Sequence, residues 1–200
     1  MRIILSDFMS LDGVVQAPGG EGEDPDGGFR HGGWSMPFFD EEAMGAAIGE
    51  AMAETDALLF GRRTWEVMAG AWPERAGDPF ADQMNAIAKY VVSSSLTADE
   101  AAARWTNTTL IDGRDDPMGA IGALREHEGD RAVQVWGSSA LARDLVAHGL
   151  VDEYRLMIEP ILLGGGKSIF PADGAARTLE LVSVATAKTG VLICTYRPAR

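Results

Sequence analysis

The sequence is poor in the residues that build disulfides and metal centres. Cys194 is the only cysteine among 200 residues, which excludes an intrachain disulfide and a cysteine-based zinc cluster. The three histidines, His31, His127 and His148, lie in separate segments without the spacing of metal ligands. No Gly-x-Ser-x-Gly motif marks a hydrolase nucleophile. We therefore expect no metal site, and we interpret Cys194 as a core residue.

Long apolar runs and excess positive charge are also missing. No run approaches the length that crosses a membrane, and the first residues lack the basic and then apolar layout of a signal peptide. Lysine and arginine number 17 against 30 acidic residues, a formal net charge of −13. A field of that sign repels nucleic acid and anionic membranes. The sequence thus predicts a cytoplasmic protein without such partners. Because the net charge also repels small anions, any anion site must be built from hydrogen-bond donors and positive charges close to it.

The organisation along the chain predicts one α/β domain over residues 1–200. Hydrophobic residues make up 46% of the chain, enough to fill a core. Residues 16–33 differ, because seven glycines and two prolines stand there with four acidic residues. Long loops of this kind inside a compact domain are usually functional, so we expect a mobile loop. The middle of the chain alternates strands and helices, which predicts a parallel sheet, and the last two strands form an antiparallel hairpin.

Three strands in the middle of the chain end in small or polar residues. Their turns are Gly61-Arg62-Arg63-Thr64, Ser93-Ser94-Ser95 and Gly137-Ser138-Ser139. If the strands are parallel, the turns share one edge of the sheet, where α/β proteins bind ligands. Helix N-termini and paired arginines would suit the phosphates of a dinucleotide. The alternative is that these turns are ordinary strand-to-helix connections, and that the two arginines are solvated on a capped surface helix.

A fourth glycine-rich stretch, Gly164-Gly165-Gly166-Lys167-Ser168, imitates the end of a P-loop. The full motif requires glycine at the position of Ile161, and the residues that follow do not predict a helix. We therefore interpret these glycines as a bulge or a tight turn after a strand.

The ordered motifs resemble dihydrofolate reductase-fold proteins, in particular the reductase domain of the bifunctional riboflavin-biosynthesis deaminase–reductase. The matching stretches are Met9–Val14, Gly61–Thr64, Lys89–Ser93, Val135–Ser138, and Leu150–Tyr154 through Pro160–Gly164. They cover nearly the whole chain. The resemblance implies a single-domain, three-layer fold with a mixed, mostly parallel sheet, and a homodimer.

The resemblance also implies NADPH as the hydride donor. It places Arg62 at the 2′-phosphate and Thr64 at the pyrophosphate, with Arg63 in the same turn. Ser93 and Ser94 would flank the adenosine, and Gly13 and Val14 would border the nicotinamide. The pyrophosphate would lie on a helix N-terminus formed by Gly137, Ser138, Ser139, Ala140 and Leu141.

The chain departs from the family at two substrate positions. Trp136 replaces the acidic residue that precedes the glycine turn in the riboflavin-pathway reductases, which leaves their ribosylamino-pyrimidine substrate open. Asp40 is the nearest match to the pterin-binding carboxylate of dihydrofolate reductases, although a plain helix N-cap is the preferred interpretation. The deaminase motifs His-x-Glu and Pro-Cys-x-x-Cys are absent.

Two functions remain open from the sequence. The first is a reductase that transfers hydride to the C=N or C=O carbon of a pterin-like or pyrimidine-like heterocycle, with a proton from water or Asp40. The aromatic residues expected to hold that ring are Trp34, Phe38, Phe39 and Trp136. The second is a non-catalytic regulator on the same fold that binds a nucleotide or a flavin.

Overall fold

A computed structural model describes residues 1–126 and 131–199. Its single sheet has eight strands in the order β4-β3-β2-β5-β1-β6-β8-β7. The strands are β1 (Arg2–Ser10), β2 (Thr55–Gly61), β3 (Ala88–Ser93), β4 (Thr108–Asp112), β5 (Ala132–Val135), β6 (Glu153–Glu159), β7 (Leu179–Thr186) and β8 (Leu192–Pro198). His127 lies outside the described residues.

The sheet is parallel from β4 to β6 and antiparallel at its far side. β1 pairs in parallel with both β5 and β6, and β2 pairs in parallel with β3 and β5. β8 runs antiparallel to β6, and β7 runs antiparallel to β8. The predicted mixed sheet with a C-terminal hairpin is therefore confirmed. The last strand of the hairpin lies inside, and β7 forms the outer edge.

Helices cover both faces of the sheet. They are α1 (Ala46–Ala53), α2 (Arg62–Ala71), α3 (Pro79–Ala86), α4 (Ala98–Arg104), α5 (Pro117–Arg125) and α6 (Ser139–Ala147). α5 and α6 pack on the face that carries Leu5 and Leu59, whereas α1 to α4 pack on the face that carries Leu58 and Phe60. Alternate residues of β2 thus enter different cores, which explains its continuous apolar run.

The helix α4 was not predicted, although the sequence carries a signal for it. Thr97 and Glu100 form a capping box, in which each residue's side chain accepts a hydrogen bond from the backbone N–H of the other. The spacing Thr-x-x-Glu is the expected signature of such a helix start. α5 begins as predicted, with the Asp116 side chain accepting from the N–H of Gly119.

The glycine-rich loop (residues 16–33) is tied down at both ends. The Gln16 side chain donates to the backbone oxygens of Asp24 and Asp26, each at 3.0 Å. The buried indole of Trp34 donates to the backbone oxygen of Gln16 at 2.7 Å. These bonds hold the two ends of the loop together in this structure, and its mobility stays a prediction.

Across residues 1–126 and 131–199, none of the helices combines the length and the apolar character that a membrane crossing requires.

Candidate functional site

Two helices begin at the carboxyl ends of neighbouring strands without side-chain caps. Gly61 precedes α2 and has no side chain that could cap it. Ser138 precedes α6, and its hydroxyl accepts no hydrogen bond from the first helical turn. In contrast, the side chains of Asp78, Thr97 and Asp116 cap α3, α4 and α5. Because first-turn amides have no partners within their own helix, α2 and α6 present free donors and positive dipole ends. Uncapped helix starts of this kind are the arrangement with which proteins bind anions.

The two helix starts touch each other. The Gly61 N–H donates to the Gly137 oxygen at 3.0 Å. A Cβ atom at Gly61 would lie 2.3 Å from the Ser138 hydroxyl oxygen, so a larger residue would push the turns apart. Gly137 has a φ of +89°, and a Cβ there would lie 3.1 Å from the Thr64 hydroxyl oxygen. The glycines bring the two turns together as one cradle.

Both arginines of the α2 turn are paired with carboxylates. Arg62 binds Glu66, one turn along its own helix, at 2.8 Å, and both side chains are partly exposed. Arg63 binds Asp26 of the glycine-rich loop, and it lies 3.8 Å from Asp24. The first pair is an ordinary surface pair within one helix, whereas the second joins the loop to the cradle.

The third predicted turn lies on the same edge of the sheet. Val92 pairs with Gly61, so Ser93 follows directly beside the cradle. The buried Ser93 hydroxyl accepts from the backbone N–H groups of Ser95 and Leu96, both at 3.1 Å. Ser94 is exposed. The structure thus brings the three turns together, and Ser94 offers the more accessible hydroxyl.

Gly13 and Val14 form a tight turn after β1, on the other side of β5 from β2. The Gly13 N–H donates to the Ser10 oxygen, and the Val14 N–H donates to the Ser10 hydroxyl, each at 2.9 Å. Asp12 accepts from the backbone N–H groups of Leu163 and Gly164. Hydrogen bonds from the Ser10 hydroxyl and these amides lower the pKa of Asp12 to about 2. The charged Asp12 therefore anchors this turn against the chain that follows β6.

A cavity of about 610 Å³ opens between that segment and the glycine-rich loop. Its walls come from the Leu163–Lys167 turn and from residues 26–31, with Gln16 between them. Sequence reasoning missed this cavity, since it interpreted Gly164–Ser168 only as a turn. Phe29, Arg30, His31 and Lys167 line it.

The four aromatic residues predicted to hold the substrate do not line this cavity. Trp34 is buried and anchors the loop. Phe38 packs in the cluster around Met44, whereas Trp136 packs in a different cluster, around Phe60. Phe39 is 43% exposed. The structure distributes these rings over separate clusters, and their role as a substrate site stays a prediction.

Asp40 caps the helical turn that leads into α1. Its carboxylate accepts from the backbone N–H groups of Glu42 and Ala43, and from that of Lys188 at 2.9 Å. These bonds, led by the one from Lys188, lower the pKa of Asp40. Asp40 is therefore ionised near neutral pH, in the helix-capping position that the sequence favoured.

Two other carboxyl groups, those of Asp7 and Glu159, have a raised pKa, and sequence reasoning missed both. Burial raises the pKa of Asp7, on β1, well above its usual range, and the charge of Glu23 acts in the same direction. Burial also raises the pKa of Glu159, at the end of β6, to about 7. The sequence does carry a signal for Asp7, which is an acidic residue within the mostly apolar stretch Ile3–Met9.

The comparison with known proteins identifies the family. The family described as RibD C-terminal domain matches residues 1–193. Uncharacterized protein YyaP of Bacillus subtilis (strain 168) is 25% identical over 204 residues, which cover 98% of this chain and 94% of that protein.

Solved structures share the fold at low sequence identity. A putative riboflavin biosynthesis protein from Shewanella sp. PV-4 has a TM-score of 0.73 at 18% identity, with both chains fully covered. A pyrimidine reductase-like protein from Corynebacterium diphtheriae has a TM-score of 0.64 at 14% identity, covering 100% of this chain and 92% of that one. Dihydrofolate reductase from Enterococcus faecalis, complexed with NADP(H) and RAB-propyl, has a TM-score of 0.58 at 13% identity, covering 100% and 97%. The fold is thus dihydrofolate reductase-like, and the chain belongs to the RibD C-terminal domain family.

Proposed function

We propose that this protein is an NADPH-dependent reductase that transfers hydride to the C=N or C=O carbon of a small heterocycle, pterin-like or pyrimidine-like. The observation that carries the proposal is the pair of uncapped helix starts at Gly61 and Ser138, joined by a 3.0 Å backbone hydrogen bond. Two adjacent sets of free amides suit a ligand with several phosphates. One solved structure of the same fold is a reductase complexed with NADP(H).

The residues present fit this cofactor. A side chain at Gly61 would collide with Ser138, and one at Gly137 would crowd Thr64, so the two glycines keep both sets of helix-start amides close together, as a pyrophosphate requires. In the proposal, the Gly61–Thr64 turn and residues 137–141 hold the phosphates, with Ser93 and Ser94 near the adenosine. Gly13 and Val14 border the nicotinamide.

Arg62 is proposed to recognise the 2′-phosphate. Its present partner is Glu66, and the side chains are 41% and 30% exposed. A pair of this kind contributes about 0–1 kcal/mol, because both charges remain solvated. A hydrogen bond to a phosphate contributes roughly 1.5–3 kcal/mol. The phosphate interaction is the stronger one, so Arg62 can leave Glu66 when the cofactor binds.

The bound cofactor supplies the hydride, and the protein supplies orientation and electrostatics. In this proposal the helix starts would hold the phosphate end, and the turn at Gly13 and Val14 would border the reacting carbon. The proton comes from water in this proposal, because Asp40 is ionised near neutral pH and caps a helix.

The experiment is a titration of the purified protein with NADPH and, separately, with NADH. We expect NADPH to bind more tightly, and we expect Arg62→Ala to weaken NADPH binding by about 10- to 100-fold with little effect on NADH. Arg177→Ala is the matched control, because Arg177 also forms an ion pair with an acid four residues away. Equal binding of the two dinucleotides, or equal losses in the two variants, would contradict the role of Arg62.

A screen of NADPH oxidation with pterins, pyrimidines, flavins and quinones then tests catalysis. Consumption with one class of substrate supports the reductase. Binding of NADPH without consumption by any class would instead indicate the non-catalytic regulator.

A further inference from the structure

A second, smaller cavity lies at the end of α6 that is remote from the cradle. It has a volume of about 200 Å³, and its walls come from α6, from β6 and from the segment that connects β6 with β7. Val146 contributes to the wall and stands about 10 Å along the helix axis from the first residue of α6. This cavity, which we call the Tyr154 pocket, is therefore separate from the helix starts that are proposed to hold the cofactor.

The pocket contains a buried hydroxyl group without a partner. Tyr154 lies in β6 between Leu5 of β1 and Tyr196 of β8, and only 4% of it is exposed. Its hydroxyl group forms no hydrogen bond with any residue that the structure describes, whereas the hydroxyl group of a buried tyrosine ordinarily has one. Among those residues, Glu159 carries the one side-chain oxygen that is both unpartnered and sealed from solvent. The Tyr154 hydroxyl therefore keeps an opening, and the cavity that Tyr154 lines provides it.

Arg177 adds a second kind of hydrogen-bond donor to the lining. Its guanidinium donates to both carboxylate oxygens of Asp173, at 3.0 and 2.7 Å, and to the backbone oxygen of Ala175 at 3.2 Å. A guanidinium has five N–H groups, so these bonds leave some of them without a partner in the described part of the chain. Burial raises the pKa of Tyr154 and the positive charge of Arg177 opposes that shift, so the charge lies within electrostatic reach of the hydroxyl group. The pocket thus offers a neutral O–H donor and a guanidinium donor.

The charge beside the pocket is already balanced. Hydrogen bonds, led by those from Arg177, lower the pKa of Asp173 to about 2, so its carboxylate is ionised and offsets the guanidinium. The chain as a whole carries a formal charge of −13. An anionic ligand would be repelled by Asp173 and by this field, whereas a neutral ligand would not. Since the polar groups that remain free are donors, the ligand has to supply an acceptor oxygen.

The rest of the lining is apolar and leaves little room. Val146 is buried in the core on the α6 face, and Leu179 packs against that core. Phe170 is 39% exposed beside them, so its ring can cover an apolar ligand. A volume of about 200 Å³ is below the usual range of pockets for drug-sized molecules, so it admits roughly one substituted ring.

We propose that the Tyr154 pocket binds a small, neutral, mostly apolar carbonyl compound, whose oxygen accepts hydrogen bonds from the Tyr154 hydroxyl and the Arg177 guanidinium. The apolar part of the ligand lies against Val146, Leu179 and the ring of Phe170. This site goes beyond the proposed reductase function, because it uses none of the residues that are proposed to hold the cofactor.

The test is an NMR titration of the ¹⁵N-labelled full chain with acetophenone, a neutral ring that carries one carbonyl group. We expect saturable shifts at the backbone amides of Phe170, Ala175 and Arg177. Ethylbenzene has a similar shape without the acceptor oxygen, and benzoate carries a charge, so both should bind about 3- to 10-fold more weakly. No saturable shift at these amides, or equal or tighter binding of ethylbenzene or benzoate, would overturn the proposal.

A pair of tyrosine variants tests the hydroxyl group. Tyr154→Phe should weaken acetophenone binding by about 3- to 10-fold and leave ethylbenzene binding unchanged, because the ring stays and one donor is lost. Tyr90→Phe, on β3 and outside the pocket, is the matched control and should bind both compounds like the wild type. An equal loss for both compounds in Tyr154→Phe would show that the hydroxyl group acts only on the packing, and the assigned hydrogen bond would be wrong.

A pair of alanine variants tests the location. Ala175 lines the pocket and is exposed, so Ala175→Phe should fill the space and weaken acetophenone binding more than 10-fold without disturbing the core. Ala172→Phe adds the same ring at an exposed position of the same segment that does not line the pocket, and it should bind like the wild type. Equal binding in the two variants, or shifts confined to the cradle, would place the ligand elsewhere and contradict the site.

Discussion

Glu159 is a buried carboxyl group with an incomplete set of hydrogen bonds. One oxygen accepts from the Ser35 hydroxyl at 2.5 Å, and the other has no partner among the described residues. Since Ser35 follows the loop anchor Trp34, this bond connects the end of the glycine-rich loop to β6. Burial raises the pKa of Glu159 from 4.5 to about 7, so the folded protein favours the protonated form.

The stability of the protein should fall as the pH rises from about 4.5 to 7, because the folded state then holds a proton that the unfolded state has released. A pKa of about 7 makes the loss roughly 3 kcal/mol for this one group. We expect Glu159→Gln to flatten this dependence in urea titrations at pH 5 and pH 8. Glu180→Gln, on the exposed edge strand, should keep the wild-type slope. An unchanged slope in Glu159→Gln would show that the carboxyl group is solvated.

Single side chains also show what the sequence could not predict. Lys89 is completely buried, and its ammonium donates to the backbone oxygens of Met84, Asn85 and Ile87 and lies 4.6 Å from the centre of the Trp105 ring. The sequence placed Lys89 in a strand. Its acceptors come from the end of α3 and from Trp105 after α4, and only the packed structure brings them together.

At the scale of elements, the strand-and-turn pattern predicted the cradle well. Gly61, Ser93 and Gly137 each follow an apolar strand, and parallel pairing brings their turns to one edge of the sheet. The cavity was missed for a physical reason. Phe29 and Lys167, which both line the cavity, are far apart in the chain. The Leu163–Lys167 turn is held in place by hydrogen bonds from Leu163 to Asp12 and from Lys167 to Gln16, and no local sequence pattern encodes these bonds.

The contact between the two helix starts can be tested with paired glycine substitutions. Gly61→Ala forces a Cβ atom to within 2.3 Å of the Ser138 hydroxyl oxygen, so we expect a loss of about 1–3 kcal/mol of stability and weaker NADPH binding. Gly70→Ala, inside α2, meets no atom within 4 Å and should gain up to about 1 kcal/mol of stability. Urea unfolding and dinucleotide titration check both variants. If Gly61→Ala bound NADPH with wild-type affinity, the cradle would not be the cofactor site.

At the scale of the whole molecule, one edge of the sheet remains apolar and exposed. β7 has one neighbour, β8, and Leu181, Val182 and Val184 are 54%, 47% and 53% exposed. An edge strand of this length with exposed apolar residues is a template for pairing with another chain. Two copies can pair through the same strand about a twofold axis, which fits the homodimer that the family resemblance implies.

We expect this edge to carry the dimer, and sedimentation velocity measures it. Val184→Lys should shift the protein to monomers, because the charge would be buried against the second copy. Val67→Lys, at an exposed valine of α2, is the matched control and should remain dimeric. Each copy carries a formal charge of −13, so salt should strengthen association by screening the repulsion. A monomer at every protein and salt concentration, or equal dissociation of the two variants, would contradict an interface at β7.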